Sequence, residues 1–217
     1  KKKKSKFGGN EAVWEKAEVI IRRAIKRSGV PFTEASGEAS FYGPKADFQI
    51  KSVVGREETA STNQVDFIMP ARFGLKYIGG DGKEHPVAVI HRAPLGSHER
   101  FIGFLIEHFS GAFPLWLAPV QAAILPVSDK LNKYARKILE TLKENGIRAE
   151  VDDSNESLGK KIRNAELQKI PYVLVVGEKE EKSGGVNVRR YRRGQEGEVK
   201  IEKLIEKIKK EIGEKVI

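Results

Sequence analysis

Arg100 and His91 are the two side chains of this 217-residue chain whose sequence surroundings point most directly to chemistry. Ser97 can cap a helix running to about Ser110, which puts Arg100 in the first turn, where unsatisfied backbone N–H groups and the helix dipole favour an anion. A guanidinium there suits a phosphate and the charge that develops as one is displaced, because such reactions rely on fixed positive groups. The plainer alternative is a surface ion pair with Glu99 or Glu107. His91 ends an apolar stretch at residues 87–91 that reads as a strand, a place where a lone imidazole is more often a hydrogen-bonded core residue than a ligand. With no cysteine, the chain can offer a metal only its four histidines and its carboxylates, and it has no disulfide, catalytic thiol or iron–sulfur cluster of its own.

The second chemical signal is charge. Forty Lys and Arg against thirty Asp and Glu give a formal net charge of +10, the balance that draws polyanions by steering and counterion release. Both halves share the excess. Lys1, Lys2, Lys3, Lys4 and Lys6 form a run that reads more readily as a solvated fringe than as a dedicated nucleic-acid arm. In the second half Lys160, Lys161, Arg163, Lys169, Arg189, Arg190, Arg192 and Arg193 recur around expected helices and strands, as on a surface that meets phosphates. No apolar run approaches the ~20 residues that span a bilayer, and the Lys-rich start is followed by Gly-Gly-Asn rather than an apolar segment with a cleavage site.

The elements that would position these groups follow from periodicity. Asn10 caps an amphipathic helix with Trp14, Ala17, Ile21, Ala24 and Ile25 on one face, ended by Ser28-Gly-Val-Pro31. Short extended segments follow at residues 39–54, 64–68 and 87–91, with Gly79-Gly-Asp-Gly82 as a tight connection, so an antiparallel sheet is expected. The helix after Ser97 would carry an apolar face of Phe101, Phe104, Leu105 and His108 or Phe109. Beyond Pro114 the pattern becomes βαβ: a buried-type strand at 122–127, a helix through Leu131, Ala135, Ile138 and Leu142, and a strand at 147–151 after Gly146. A helix at 157–170, strands at 172–176 and 185–189, and a last helix through Ile201, Leu204, Ile205, Ile208 and Ile212 complete an α/β unit of about a hundred residues. The expected boundary lies near residue 115, giving domains 1–115 and 116–217.

Longer strings then carry a resemblance. Val89-Ile-His-Arg-Ala-Pro-Leu-Gly-Ser-His-Glu-Arg-Phe-Ile-Gly103, followed by Gly111-Ala-Phe-Pro-Leu-Trp-Leu-Ala-Pro-Val-Gln121, resembles the third signature motif of class II aminoacyl-tRNA synthetases in its threonyl-tRNA synthetase form. Phe41-Tyr-Gly-Pro-Lys-Ala-Asp-Phe48, Val151-Asp-Asp-Ser-Asn-Glu-Ser-Leu-Gly-Lys-Lys-Ile-Arg163 and Pro171-Tyr-Val-Leu-Val-Val-Gly-Glu-Lys179 are similar to the same family. The resemblance runs from about Gly9 to the end. It implies an α+β then α/β fold: part of a class II synthetase antiparallel sheet with flanking helices, followed by a mixed-sheet α/β anticodon-binding domain.

The family joins threonine to its tRNA through an ATP-dependent threonyl-adenylate, so the resemblance implies ATP, Mg and Zn as cofactors and threonine, ATP and threonine tRNA as partners. It also implies a homodimer for the full-length protein, a cytoplasmic location and no membrane. By the family's motif Arg100 grips ATP, with Lys45 a weaker candidate for the reacting carboxylate and phosphate. Tyr42, Gln64 and Ser97 match positions around the threonine pocket, and their hydroxyl and amide groups suit a small polar substrate. His91 matches one of three zinc ligands that hold the threonine amino and hydroxyl groups. Such a site penalises an isostere lacking the hydroxyl far more than shape alone would. The remaining zinc ligands are expected outside this chain. In the second domain Asn155, Lys169, Glu180 and Arg189 match positions that meet anticodon bases, whose edges are read by hydrogen bonds. Arg190, Arg192 and Arg193 would touch nucleic-acid backbone.

Each residue also has an ordinary reading. Gly43-Pro44 is a turn, Tyr42 a half-buried strand aromatic, Gln64 a strand-edge amide, Ser97 a helix cap, Asn155 a cap, and Arg189 a pair for Glu180. The chain departs from the family where Glu58-Thr-Ala-Ser-Thr62 stands for a Trp-Gln-Cys-Gly-Thr run. The first and second family motifs and the editing region have no counterpart, so the expectation is a truncated chain that alone neither forms the adenylate nor dimerises. The rival expectation is a non-catalytic tRNA- or RNA-binding module related to synthetase anticodon-binding domains.

Overall fold

The computed structural model describes residues 11–217; the Lys run and the expected cap Asn10 lie outside the described residues. Two compact units divide between Phe104 and Leu105.

In the first unit, helix α1 (Glu11–Ser28) places Glu11 in its first turn and Lys26 and Arg27 in its last, each complementing the local end of the dipole. It buries Ala17 and sets the Trp14 ring edge-on to Phe67, centroids 5.4 Å apart. Strands β1 (Lys45–Lys51), β2 (Glu57–Asp66) and β5 (Val89–Ala93) form an antiparallel sheet with β2 in the middle. Between them lie the short helix α2 (Met69–Arg72) and the hairpin of β3 (Lys76–Ile78) and β4 (Glu84–Pro86), closed by the expected glycine-rich connection. Helix α3 (His98–Phe109) follows.

Three expectations change. The strand expected at 64–68 begins at Glu57 and stops at Asp66. It stops there because the Asp66 carboxylate takes the backbone N–H groups of Ile68 and Met69 at 3.0 and 2.9 Å, turning the chain into α2. The polar run 57–63 is strand because one face of β2 carries hydrogen-bonded polar groups, so hydrophobic alternation never signals it. No residue of α3 is buried, Phe101, Phe104 and Leu105 included. The described residues of this unit bury only Ala17 and Ala60 among hydrophobic side chains, too little apolar cover for a helix to seat against.

The second unit packs differently. Strands β6 (Ala122–Pro126), β7 (Ala149–Val151), β8 (Tyr172–Val176), β9 (Gly185–Arg190) and β10 (Gly194–Lys200) form one sheet in the order β10-β9-β8-β6-β7. β6 is parallel to β7 and β8, whereas β8–β9 and β9–β10 are antiparallel. Helices α4 (Asn132–Glu144) and α7 (Ile201–Gly213) bring Ala135, Ile138, Leu142, Leu204, Ile205 and Ile208 against Ile124, Tyr172, Leu174, Val186 and Val188. On the other face, α5 (Leu158–Leu167) and the turn after it bring Ala165 and Ile170 against Ala123, Leu125 and Val173. Each such large side chain contributes roughly 1.5–3 kcal/mol by leaving water. The periodicity found α4, α5 and α7. It missed α6 (Glu178–Ser183) and β10, whose charged and Gly-rich sequences lack an apolar face.

Leu174 is fully buried, whereas Ile102 on α3 is 52% exposed. Leu174→Ala is expected to destabilise the second unit by about 2–5 kcal/mol and Ile102→Ala to stay within about 0.5 kcal/mol, read from denaturant unfolding followed by circular dichroism.

Candidate functional site

In the antiparallel sheet of the first unit, Lys45, Gln64 and His91 are register partners, one on each of three neighbouring strands. Register partners project to the same face, so the alternation of the strands puts Lys45, Gln64 and His91 in one row. Asp47, Thr62 and Ala93 make the next row.

The two rows are bound sideways. The Tyr42 hydroxyl donates to Gln64 Oε1, and the Ser40 hydroxyl reaches the same oxygen at 3.3 Å. Gln64 Nε2 donates to Thr62 Oγ1 at 3.2 Å, and Thr62 Oγ1 donates to Asp47 Oδ1 at 2.7 Å. The Lys45 ammonium pairs with the other Asp47 oxygen. Gln64 is therefore oriented from both ends of its amide, and it sits on the central strand, not at a sheet edge. Tyr42 reaches it because residues 42–44 run against β2: Pro44 O accepts the Val65 N–H at 3.0 Å and Tyr42 O that of Phe67 at 3.4 Å. Gly43 is required there, since a Cβ would lie 1.8 Å from Val65 O.

His91 Nε2 lies 2.9 Å from Asp66 Oδ2; the imidazole is 51% exposed and the carboxylate 1%. The Tyr42 and His91 rings are 5.6 Å apart, centroid to centroid. Burial raises the Asp66 pKa, but the hydrogen bond from His91 and those from the Met69 and Ile68 N–H groups outweigh it, holding the carboxyl below the usual carboxylate range. Among the described residues no group of three or more His, Cys, Asp or Glu could hold a metal ion. One imidazole does not make a tetrahedral site, so the described residues alone do not fit a complete zinc centre. His85 pairs with Asp81 at 2.9 Å, and His108 stacks edge-on to Phe109.

Ser97 performs the cap: Ser97 Oγ accepts the Arg100 backbone N–H at 3.3 Å. That fixes Arg100 in the first turn of α3, where its side chain is exposed and, among the described residues, joins no ion pair with Glu99 or any other carboxylate. Among the described residues no hydrogen bond or ion pair joins Arg100 to the rows that hold Gln64 and His91.

In the second unit the four base-reading candidates fall into two groups. Asn155 is exposed in the loop after β7, and Glu180 follows the end of β8, at the carboxyl ends of the parallel strands. Lys169 precedes β8 and Arg189 is the register partner of Val173 near its start, at the opposite end. Glu180 does not pair with Arg189. It is committed to its own helix start, accepting the Gly177 N–H at 3.0 Å, and Arg189 lies 3.8 Å from Glu166. Lys169 adopts φ +57 just beyond α5 and donates to Ser110 O.

Two of the expected phosphate-facing cations are internal. Lys161 is 4% exposed, with its ammonium 3.3 Å from Pro126 O. Arg190 donates to the Tyr172 hydroxyl at 2.5 Å and pairs with Glu211 at 2.9 Å, satisfying a phenol whose pKa burial pushes up. Lys160, Arg163, Arg192 and Arg193 are exposed.

Sequence reading missed Asp47, Thr62 and Asp66 in the first unit, and Asn187 and Gln195, which share the Arg189 face of β9 and β10. The i, i+2 spacing of Thr62, Gln64 and Asp66 was the available signal, since a strand puts such residues on one face.

Residues 7–109 match the tRNA synthetase class II core domain (G, H, P, S and T) and residues 121–211 the anticodon binding domain. The chain is 50% identical over 210 residues to threonine–tRNA ligase of Prosthecochloris aestuarii, covering 97% of this chain and 32% of that protein. With threonine–tRNA ligase of Thermus thermophilus it shares 52% over 204 residues, 94% of this chain and 31% of that one. The chain thus spans about a third of the length of the curated relatives it matches. The crystal structure of the RNA binding domain of threonyl-tRNA synthetase from Cryptosporidium parvum superposes with a TM-score of 0.84 at 34% identity, over 94% of this chain and 52% of that one. Two adjoining domain matches, to a class II synthetase core and to an anticodon-binding domain, thus account for most of the chain, and along nearly its whole length it is similar at half identity to threonine–tRNA ligases.

Proposed function

We propose that this chain is part of an enzyme that joins threonine to its tRNA, with residues 1–115 contributing to the catalytic domain and residues 116–217 forming the anticodon-binding domain. In the first step a threonine carboxylate oxygen attacks the α-phosphorus of ATP and pyrophosphate leaves. In the second, the terminal ribose hydroxyl of the tRNA attacks the adenylate carbonyl and AMP leaves. The observation that carries this reading is the row Lys45, Gln64 and His91 on three adjacent strands, with Tyr42 on the Gln64 amide.

Tyr42 and Gln64 orient threonine, and Ser97 both caps α3 and contacts substrate. Arg100 and Lys45 face the anionic atoms of ATP and the reacting carboxylate, with Mg as the cation of the phosphates. For Lys45 this requires sharing its ammonium between Asp47 and substrate. Zinc, with His91 as one ligand and the others from outside the described residues, would supply selection for the threonine hydroxyl. Asn155, Lys169, Glu180 and Arg189 read the anticodon from two ends of the mixed sheet, so the bound loop extends along the sheet instead of entering one pocket. The full-length protein acts as a homodimer in the cytoplasm. Among the described residues no helix is long and apolar enough to cross a membrane.

In a full-length synthetase carrying this segment, Arg100→Ala is expected to slow threonine-dependent pyrophosphate exchange by about 10²–10³-fold, the usual loss when one donor to transition-state charge is removed. Unchanged exchange in both Arg100→Ala and Gln64→Ala would remove these two site assignments, whereas no threonine-dependent exchange by the unsubstituted full-length protein would leave a non-catalytic RNA-binding module as the better account. For the second unit, tRNA binding at fixed salt is expected to weaken by about 1–3 kcal/mol on Arg189→Ala with the threonine anticodon, and much less once the anticodon is exchanged. Equal losses on both tRNAs would mean that Arg189 senses charge and not bases.

A further inference from the structure

Asp66 is the only carboxylate among the described residues that is buried, and both of its oxygens are assigned. Oδ1 accepts the Ile68 and Met69 N–H groups, and Oδ2 faces His91 Nε2 at 2.9 Å. Asp66 is the register partner of Val89, and Gln64 that of His91, so carboxylate and imidazole are diagonal neighbours on adjacent strands whose pairing fixes their separation.

We infer that Asp66 is a positioning residue for His91: it holds the imidazole with the proton on Nε2 and leaves Nδ1 as the one ring nitrogen with a lone pair open to a divalent cation. The inference rests on the reading of His91 as a metal ligand and extends it to the residue that orients the ring. An ionised carboxylate only accepts hydrogen bonds, so the nitrogen facing it must be the donor. Asp66 Oδ1 already accepts two backbone N–H groups, and Oδ2 faces the ring at 2.9 Å, the contacts of a carboxylate acting as acceptor throughout. A neutral imidazole has one donor and one acceptor nitrogen, so Nδ1 is the acceptor, and among the described residues it has no hydrogen-bond partner. The Tyr42 ring beside the imidazole restricts it further. Carboxylates placed in this way fix the tautomer of metal-binding histidines and raise their basicity. A carboxylate needed only to start α2 would have no use for the His91 contact.

Asp66→Asn separates the two roles. Its Oδ1 can still accept the Ile68 and Met69 N–H groups, but its Nδ2 donates toward the ring, so Nε2 must become the acceptor and the proton must move to Nδ1. Long-range ¹H–¹⁵N NMR of the 217-residue chain, at a pH where imidazoles are neutral and with His91→Gln to assign the signals, reads the tautomer. The expected result is Nε2–H in the unchanged chain and Nδ1–H in Asp66→Asn; the same tautomer in both overturns the inference. Should Asp66→Asn fail to fold, the unchanged chain decides. An Nε2–H protected from solvent exchange supports the inference, and one exchanging as fast as in free imidazole overturns it. Zinc retention by a full-length synthetase carrying this segment, challenged with a chelator, is expected to fall about 10–100-fold in Asp66→Asn and in His91→Gln. A fall in His91→Gln alone overturns the positioning role. No fall in either, with the tautomer shifted, removes the metal reading of His91 and leaves the hold of Asp66 on the ring standing.

Discussion

A carboxylate withdrawn from water is tolerated only where donors surround it, and in the first unit this requirement falls on Asp66. Meeting it shapes the neighbourhood. Two donors are the backbone N–H groups of Ile68 and Met69, so β2 ends at Asp66 and α2 begins three residues later. The third is His91 on β5, so the imidazole is tied to the central strand. Gly43 lets residues 42–44 lie against the same end of β2, which brings Tyr42 to both Gln64 and His91. Much of the candidate site is thus organised around the demands of one buried charge.

The polar rows on this sheet have a second consequence. A central strand is commonly apolar when both faces are covered, yet β2 carries Thr62, Gln64 and Asp66 on one face. Their polar atoms are satisfied laterally, from Lys45 through Asp47 and Thr62 to Gln64 and Tyr42. Groups held before a ligand arrives need no reorganisation when charge develops, which is the property a small polar substrate site requires. The same chain of bonds balances Lys45 with Asp47, whereas Arg100, the cation proposed for the phosphate role, is exposed in the first turn of α3.

In the second unit packing sorts the cations. Net charge supplies attraction to a polyanion without specifying which side chains deliver it. Arg190 is drawn under α7 by Glu211 and the buried Tyr172 hydroxyl, and Lys161 turns inward to Pro126 O. Arg192, Arg193, Lys160 and Arg163 remain exposed. Helix α5 covers the sheet face over β6 and β8, and Arg189, Asn187 and Gln195 share that face on the neighbouring strands β9 and β10, a surface of amide and guanidinium groups suited to base edges.

Much of the architecture was legible along the chain because amphipathic helices and buried strands announce themselves by period. The βαβ unit, α4, α5 and α7, the break at Gly146 and the cap at Ser97 all follow from local pattern, and the family's motif strings named Tyr42, Gln64, His91 and Arg100. Segments without an apolar face, α6, β10 and the first half of β2, left no such trace. Neither did the partners of the site residues. That Lys45, Gln64 and His91 share a row, that Glu180 caps its own helix instead of meeting Arg189, and that Asp66 commits one nitrogen of His91 depend on strand register and on which side chains lose water. Residues 19 to 27 positions apart become neighbours only when the backbone pairs, and the cost of burying a charge exists only once there is an interior to bury it in.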